Sequence, residues 1–222
     1  MQNTHILFIN PNSTASMTVK VGEAARAVAS PGTRITAINP STGPAAIQGP
    51  EDGEAALPGL FALFDASLDA DPSITAVVIA CFDDTGLWEL RARKRVPVLG
   101  IGEVAYHVAS IAAEKFSVVT TLPISVPVLE DNIARTGLSG RCARVRAANV
   151  PVLDLEIPGS DARLRVEREI EAALAADQIG AIALGCAGMA DLASGLSAKF
   201  QIPVIDGVAS SVKLAEAVAR RA

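Results

Sequence analysis

Short runs rich in β-branched and aliphatic residues alternate along this chain with longer stretches whose apolar positions recur at helical spacing. "HILFIN" (5–10) predicts a strand and residues 14–29 a helix, which "SPG" (30–32) ends before a second strand, "RITAIN" (34–39). The Gly/Pro-rich stretch "PSTGPAAIQGPEDG" (40–53) is long for a connection in a compact domain, which marks it as a candidate binding loop or lid. A helix near 51–69 leads to the strand "ITAVVIA" (74–80). The second half repeats this grammar: a strand over 115–121, a helix over 126–136, a strand over 142–149, an amphipathic helix over 160–177 and a strand over 181–185. Strands separated by helices of this length indicate βαβ units and parallel sheets.

The halves also match in detail. "AVVIACFDDTGL…VPVLGIG" (76–102) parallels "AIALGCAGMADL…IPVIDGV" (181–208). Ala76 and Ala181 are 105 positions apart, as are Cys81 and Cys186. More weakly, "ILFINPNST" (6–14) pairs with "SVVTTLPIS" (117–125), setting Asn10 opposite Thr121. This pattern predicts an α/β protein of two similar lobes, each a parallel, flavodoxin-like sheet flanked by helices, related by a pseudo-twofold axis. Residues 1–110 with the C-terminal helix (207–222) would form one lobe and 111–206 the other, with a site in the cleft between them.

Composition narrows the partners. Half of the 222 residues are hydrophobic and few are aromatic, as suits strands buried on both faces. A formal net charge of −5 and the lack of a basic cluster argue against nucleic acid or an anionic membrane surface as partner. The first apolar run is too short, and lacks the basic lead-in, for a secretory signal, and no run is long enough for a membrane span. Three cysteines, Cys81, Cys142 and Cys186, imply no disulfide framework, so a cytoplasmic protein is expected.

Two of those cysteines stand at matching strand ends, where ligands bind in open α/β sheets. A lone Cys81 would be read as a small core residue; a pair at equivalent strand ends points to function, whereas Cys142, in a strand and without counterpart, is structural. If each cysteine opens a helix, the helix dipole lowers the thiol pKa and the following N–H groups can hold an anion. Two thiols facing one cleft suit proton transfer from one face of a carbon to the other, one as base and one as acid. The amides would stabilise an enolate oxygen, and no metal or organic cofactor is required.

"INPNSTASMT" (9–18), "ACFDDTGL" (80–87), "PVLGIGEVAYHVA" (97–109), "VVTTLPISVP" (118–127), "LGCAGMADL" (184–192) and "PVIDGVASSV" (203–212) together resemble the hydantoin racemase family of the aspartate/glutamate racemase superfamily. The resemblance implies a cofactor-independent racemase of 5-substituted hydantoins, with Cys81 and Cys186 as acid and base, and it favours a homo-oligomer. Amino-acid racemases resemble one another in carrying Asn-Thr after the first cysteine and Thr-His or Thr-Glu after the second. Phe82-Asp83 and Ala187-Gly188-Met189 stand here instead, which fits a small neutral ring better than a free amino acid. Arylmalonate decarboxylase, a relative, manages with the second cysteine alone, and the intact pair argues against it.

Other candidates for ligand contact are Asn10, where the first strand hands over to a helix, and Thr120 and Thr121 in the matching place of the second half. Phe82 and Ile47 are candidate walls for an apolar substituent, and Ala187 and Gly188 candidate backbone donors. Asp83 and Asp84 are expected, from the first turn of a helix, to cap or orient their loop rather than take part in proton transfer, since a carboxylate beside a thiol raises its pKa, and Asp83 is also a candidate ligand contact. His107 has no third orienting residue for a Cys–His pair with Cys81, the histidines and cysteines lack zinc-ligand spacing, and no nucleotide-binding glycine motif occurs. Allantoin, a free amino acid, or a non-catalytic role in binding or sensing a small molecule remain as alternatives.

Overall fold

A computed structural model describes residues 4–219. The predicted lobe limits extend to residues 1–3 and 220–222, which lie outside the described residues. The first half runs β1 (His5–Ile9), α1 (Ala15–Val28), β2 (Arg34–Ile38), α2 (Pro50–Ala70), β3 (Ala76–Ile79), α3 (Leu87–Ala92), β4 (Val98–Gly100) and α4 (Ile101–Ala112). The second runs β5 (Phe116–Thr120), α5 (Val126–Arg135), β6 (Cys142–Ala147), α6 (Ala162–Ala176), β7 (Ala181–Gly185), α7 (Ala193–Phe200), β8 (Val204–Ile205) and α8 (Gly207–Val218). Short 3₁₀ turns occupy Pro123–Ser125, Val152–Glu156 and Ala187–Leu192.

Each half builds a four-stranded parallel sheet with the same order, β2-β1-β3-β4 and β6-β5-β7-β8. The central strands β1, β3, β5 and β7 are buried at every position, which is why they read as unbroken apolar runs. The 74–80 run shortens to Ala76–Ile79, and Thr75 just before it bonds to His5 through both its hydroxyl and its N–H. Helix α2 begins at Pro50, whose missing N–H costs nothing in the first turn, so the connecting loop ends at Gly49. Among the described residues, no helix is long and apolar enough to cross a membrane.

The last helix of each half reaches across. Helix α8 packs on β1, β3, β4 and α1 of the first half, while α4 touches β7, β8 and α5 of the second. The largest core cluster therefore draws on both halves, joining Phe8, Val78 and Tyr106 to Phe116, Val118, Val208 and Val212. The first turns of α4 and α8 meet so closely that a Cβ at Gly207 would collide with the Ile101 carbonyl.

Candidate active site

Cys81 and Cys186 lie just beyond the carboxyl ends of β3 and β7, the central strands of the two sheets. Both line one cavity between the halves, together with Asn12, Met17, Ile47, Phe82, Asp83, Thr121, Ser125, Val152 and Ala187. The free space amounts to about 30 Å³, enough for a water molecule or two and too little for a five-membered ring. The cover comes from both halves. Ala46 packs with Met17 and Val152 against Cys186, Ile47 lines the same cavity, and Gln48 Oε1 accepts the Val152 N–H at 3.0 Å. Gly49, at φ +109°, lies against Ile124, where a Cβ would come within 2.9 Å of that side chain. Lys20 on α1 pairs with Glu156 at 2.7 Å.

The local structure differs from the sequence expectation at the cysteines. Cys81 opens no helix: residues 81–86 form turns, and α3 starts at Leu87 after Gly86 in the left-handed region. Cys186 is the N-cap of the 3₁₀ turn Ala187–Leu192, and its Sγ accepts the Gly188 N–H at 3.4 Å. Thr85 Oγ1 lies 3.5 Å from Cys81 Sγ, and the Asp83 N–H also bonds to that sulfur. The amides after each cysteine are thus turned onto the thiols themselves.

Nor are the thiols acidified as the dipole argument expects. Burial pushes Cys81 far above the ordinary thiol range, and the neighbouring Asp83 charge adds to the rise. Burial likewise pushes Cys186 up to about 12, with its Gly188 hydrogen bond pulling the other way. Desolvation outweighs one or two hydrogen bonds because a thiolate in this closed space has lost its water. Burial also raises the Asp83 carboxyl to about 6, against a weaker pull from Ser125 Oγ, which donates to it at 3.2 Å.

Of the other expected contacts, Ile47, Phe82, Asp83, Thr121 and Ala187 line the cavity, and Asn10, Thr120 and Gly188 do not. Asn10 is buried behind the wall, its amide donating to Asn12 Oδ1 and Thr18 Oγ1, so that Asn12 is the residue presented. Thr120 Oγ1 donates to the Gly185 carbonyl and joins β5 to β7. Gly188 serves through its N–H on Cys186. Phe82 is mostly committed to the core, edge-on to Tyr106 at 5.3 Å between ring centroids. Cys142 stands in β6 and His107 in α4, away from the cavity wall. Met17, Thr85, Ser125 and Val152 escaped the sequence reading. Only Thr85, one turn beyond Cys81, carried a local signal.

Asp84 acts at a distance. Its carboxylate accepts the N–H groups of Gly102 (3.0 Å) and Glu103 (2.7 Å) and so caps α4 from the cysteine loop. Burial pushes this carboxyl upward too, opposed by those two amide bonds. Among the described residues, no group of three or more His, Cys, Asp or Glu side chains is arranged to hold a metal ion.

A family model described as Asp/Glu/Hydantoin racemase matches residues 6–215. The chain belongs to that family. It is an isomerase of the racemase type, which sets aside a purely binding role. The hydantoin racemase of Rhizobium meliloti is 44% identical, over 96% of this chain and 88% of its own length. Among solved structures, the allantoin racemase from Klebsiella pneumoniae is 40% identical with a TM-score of 0.92, matching 96% of this chain and 86% of its own. The allantoin racemase from Pseudomonas fluorescens is 38% identical with a TM-score of 0.90, matching 96% and 90%. This racemase shares their two-lobed architecture of parallel sheets.

Proposed function

We propose that this racemase inverts C5 of 5-monosubstituted hydantoins by two-base proton transfer, with Cys81 working from one face and Cys186 from the other. The observation that carries the reading is the single cavity lined by both thiols, each beyond the central strand of a different sheet. One thiolate removes the C5 proton, the opposite thiol returns one, and the roles exchange for the other enantiomer. Thiols pushed upward by burial are stronger bases once ionised, which suits a weakly acidic carbon. Thr85 and the Asp83 N–H on one sulfur, and the Gly188 N–H on the other, stabilise whichever carries the charge. Asn12 and Thr121 are left to meet the ring carbonyls, including the enolate oxygen formed between the steps.

The apolar walls Met17, Ile47 and Val152 favour an aliphatic or aromatic C5 substituent. Allantoin, whose substituent is a ureido group, is the second reading, favoured by the two allantoin racemase structures. A time course in D₂O with one enantiomer of 5-benzylhydantoin, then of allantoin, tests both. Loss of the C5 proton signal together with optical rotation is expected, faster for the substrate. Cys81→Ser and Cys186→Ser should each abolish racemisation, while each still exchanges the C5 proton of one enantiomer, a different one in each variant. Full racemisation by either variant would sink the two-base mechanism.

A further inference from the structure

The cavity wall contains a single group that is charged at neutral pH, Asp83, and no lysine, arginine or histidine. Lys20, whose charge is felt at Cys186, is already paired with Glu156 at 2.7 Å. Asp83 is held at three points: its N–H on Cys81 Sγ, its carbonyl accepting from Asn132 Nδ2 at 2.8 Å, and one carboxylate oxygen accepting from Ser125. The second carboxylate oxygen takes part in no hydrogen bond among the described residues. A fixed acceptor with a spare lone pair beside both thiols fits a ligand N–H donor. A fixed negative charge without a counter-ion in a narrow cavity opposes a second anion.

We propose, resting on the racemase reading above, that Asp83 sets the charge of an acceptable ligand: its carboxylate accepts a ring N–H and turns away molecules that carry a carboxylate. The substrate class is therefore the closed, neutral cyclic ureide. Its ring-opened N-carbamoyl acid, the same molecule plus water, is excluded although it has the same substituent. Asp83 is a specificity residue in this role, separate from the proton-transferring thiols.

The titratable groups that share its electrostatic field are Cys81 and Asp84 on its own segment, Tyr106 on α4 and Cys186 beyond β7. Burial raises all four, Asp84 against the two amide bonds that hold it as the cap of α4, and it raises Asp83 to about 6, inside the range from pH 5.5 to 7.5. The raised value means that the charge is present above about 6 and lost below it, so exclusion of an anion should fade on acidification.

Calorimetric titration with 5-benzylhydantoin and with N-carbamoylphenylalanine, on the wild type and Asp83→Asn, tests this. At pH 7.5 the variant should bind the acid about 20-fold more tightly than the wild type does, and its KM for the hydantoin should rise about three- to ten-fold. Lowering the pH to 5.5 should tighten binding of the acid to the wild type by about 20-fold and leave the variant unmoved. A wild type that racemises the hydantoin yet shows neither the pH effect nor the effect of the substitution overturns the role of Asp83 alone. A wild type that neither binds nor racemises the hydantoin overturns the racemase reading and this one with it.

Discussion

The two sulfurs are held by different donors, and the difference is measurable. Cys81 has a side-chain hydroxyl, Thr85 Oγ1, besides the Asp83 N–H, whereas Cys186 has the Gly188 backbone N–H. Thr85→Val keeps the shape and removes the donor, so it should raise the Cys81 pKa further and slow alkylation of Cys81 about five-fold, leaving Cys186 unchanged. Mass spectrometry of iodoacetamide-labelled peptides reads both sites in one experiment. Asp83 gives a second test at this scale. Its folded-state pKa lies above the unfolded one, so its contribution to stability is greatest below about pH 4 and is lost as pH rises through about 6. Asp83→Asn should therefore stabilise the protein at pH 8 by about 1–3 kcal/mol and change little at pH 4, as read by denaturant midpoints. The sequence made the paired cysteines visible through their common spacing of 105 positions. It did not separate Thr120 from Thr121 or Asn10 from Asn12. Thr120 and Thr121, adjacent at a strand end, point to opposite sides, and pattern alone does not say which one reaches the cleft; Asn10 and Asn12 both lie beyond the end of β1, where strand alternation no longer applies.

The two halves cap their last helices in different ways. In the second, Asp206 precedes α8 and its carboxylate accepts the N–H groups of Val208 and Ala209, both at 2.9 Å. In the first, Gly100 stands at the corresponding place before α4, and Asp84 supplies the carboxylate from the cysteine loop. Gly100 is required there, because a Cβ would collide with the Asp84 carboxylate. The loop carrying Cys81 is thus fastened to α4 by the bonds that cap the helix. Asp84→Ala should cost about 2–4 kcal/mol of stability, since it uncaps α4 and leaves two amides unpaired. Adding Gly100→Asp should restore much of that stability by giving α4 its own cap, yet leave racemisation low because the loop is no longer anchored. Recovery of both stability and turnover would show that Asp84 matters only as a cap. The strands and long helices were legible in the sequence because burial and amphipathic spacing write themselves into neighbouring residues. The turns at 81–86 were not, since "DDTG" reads equally well as the start of a helix until the αL conformation of Gly86 and the distant partners of Asp84 are known.

At the scale of the molecule, closure over the cavity is made by a few contacts between the halves: Gln48 with Val152, Gly49 against Ile124, and Lys20 with Glu156. A ring can enter only when some of these part. Gln48→Ala removes the acceptor of one particular amide, so hydrogen exchange at Val152 should rise by about ten-fold or more while the central strands stay protected. An unchanged Val152 amide would mean that Gln48 does not hold the cover. The exchange of helices between the halves has a consequence for how the protein is made. Helix α8 is made after every strand of both sheets, yet Val208, Val212 and Ala215 complete the core that begins with Ile6 and Phe8. Until α8 has been made, those early strands carry an uncovered apolar face. A nascent chain stalled before residue 207 should therefore recruit chaperones and be degraded quickly, whereas the released chain with α8 in place should not.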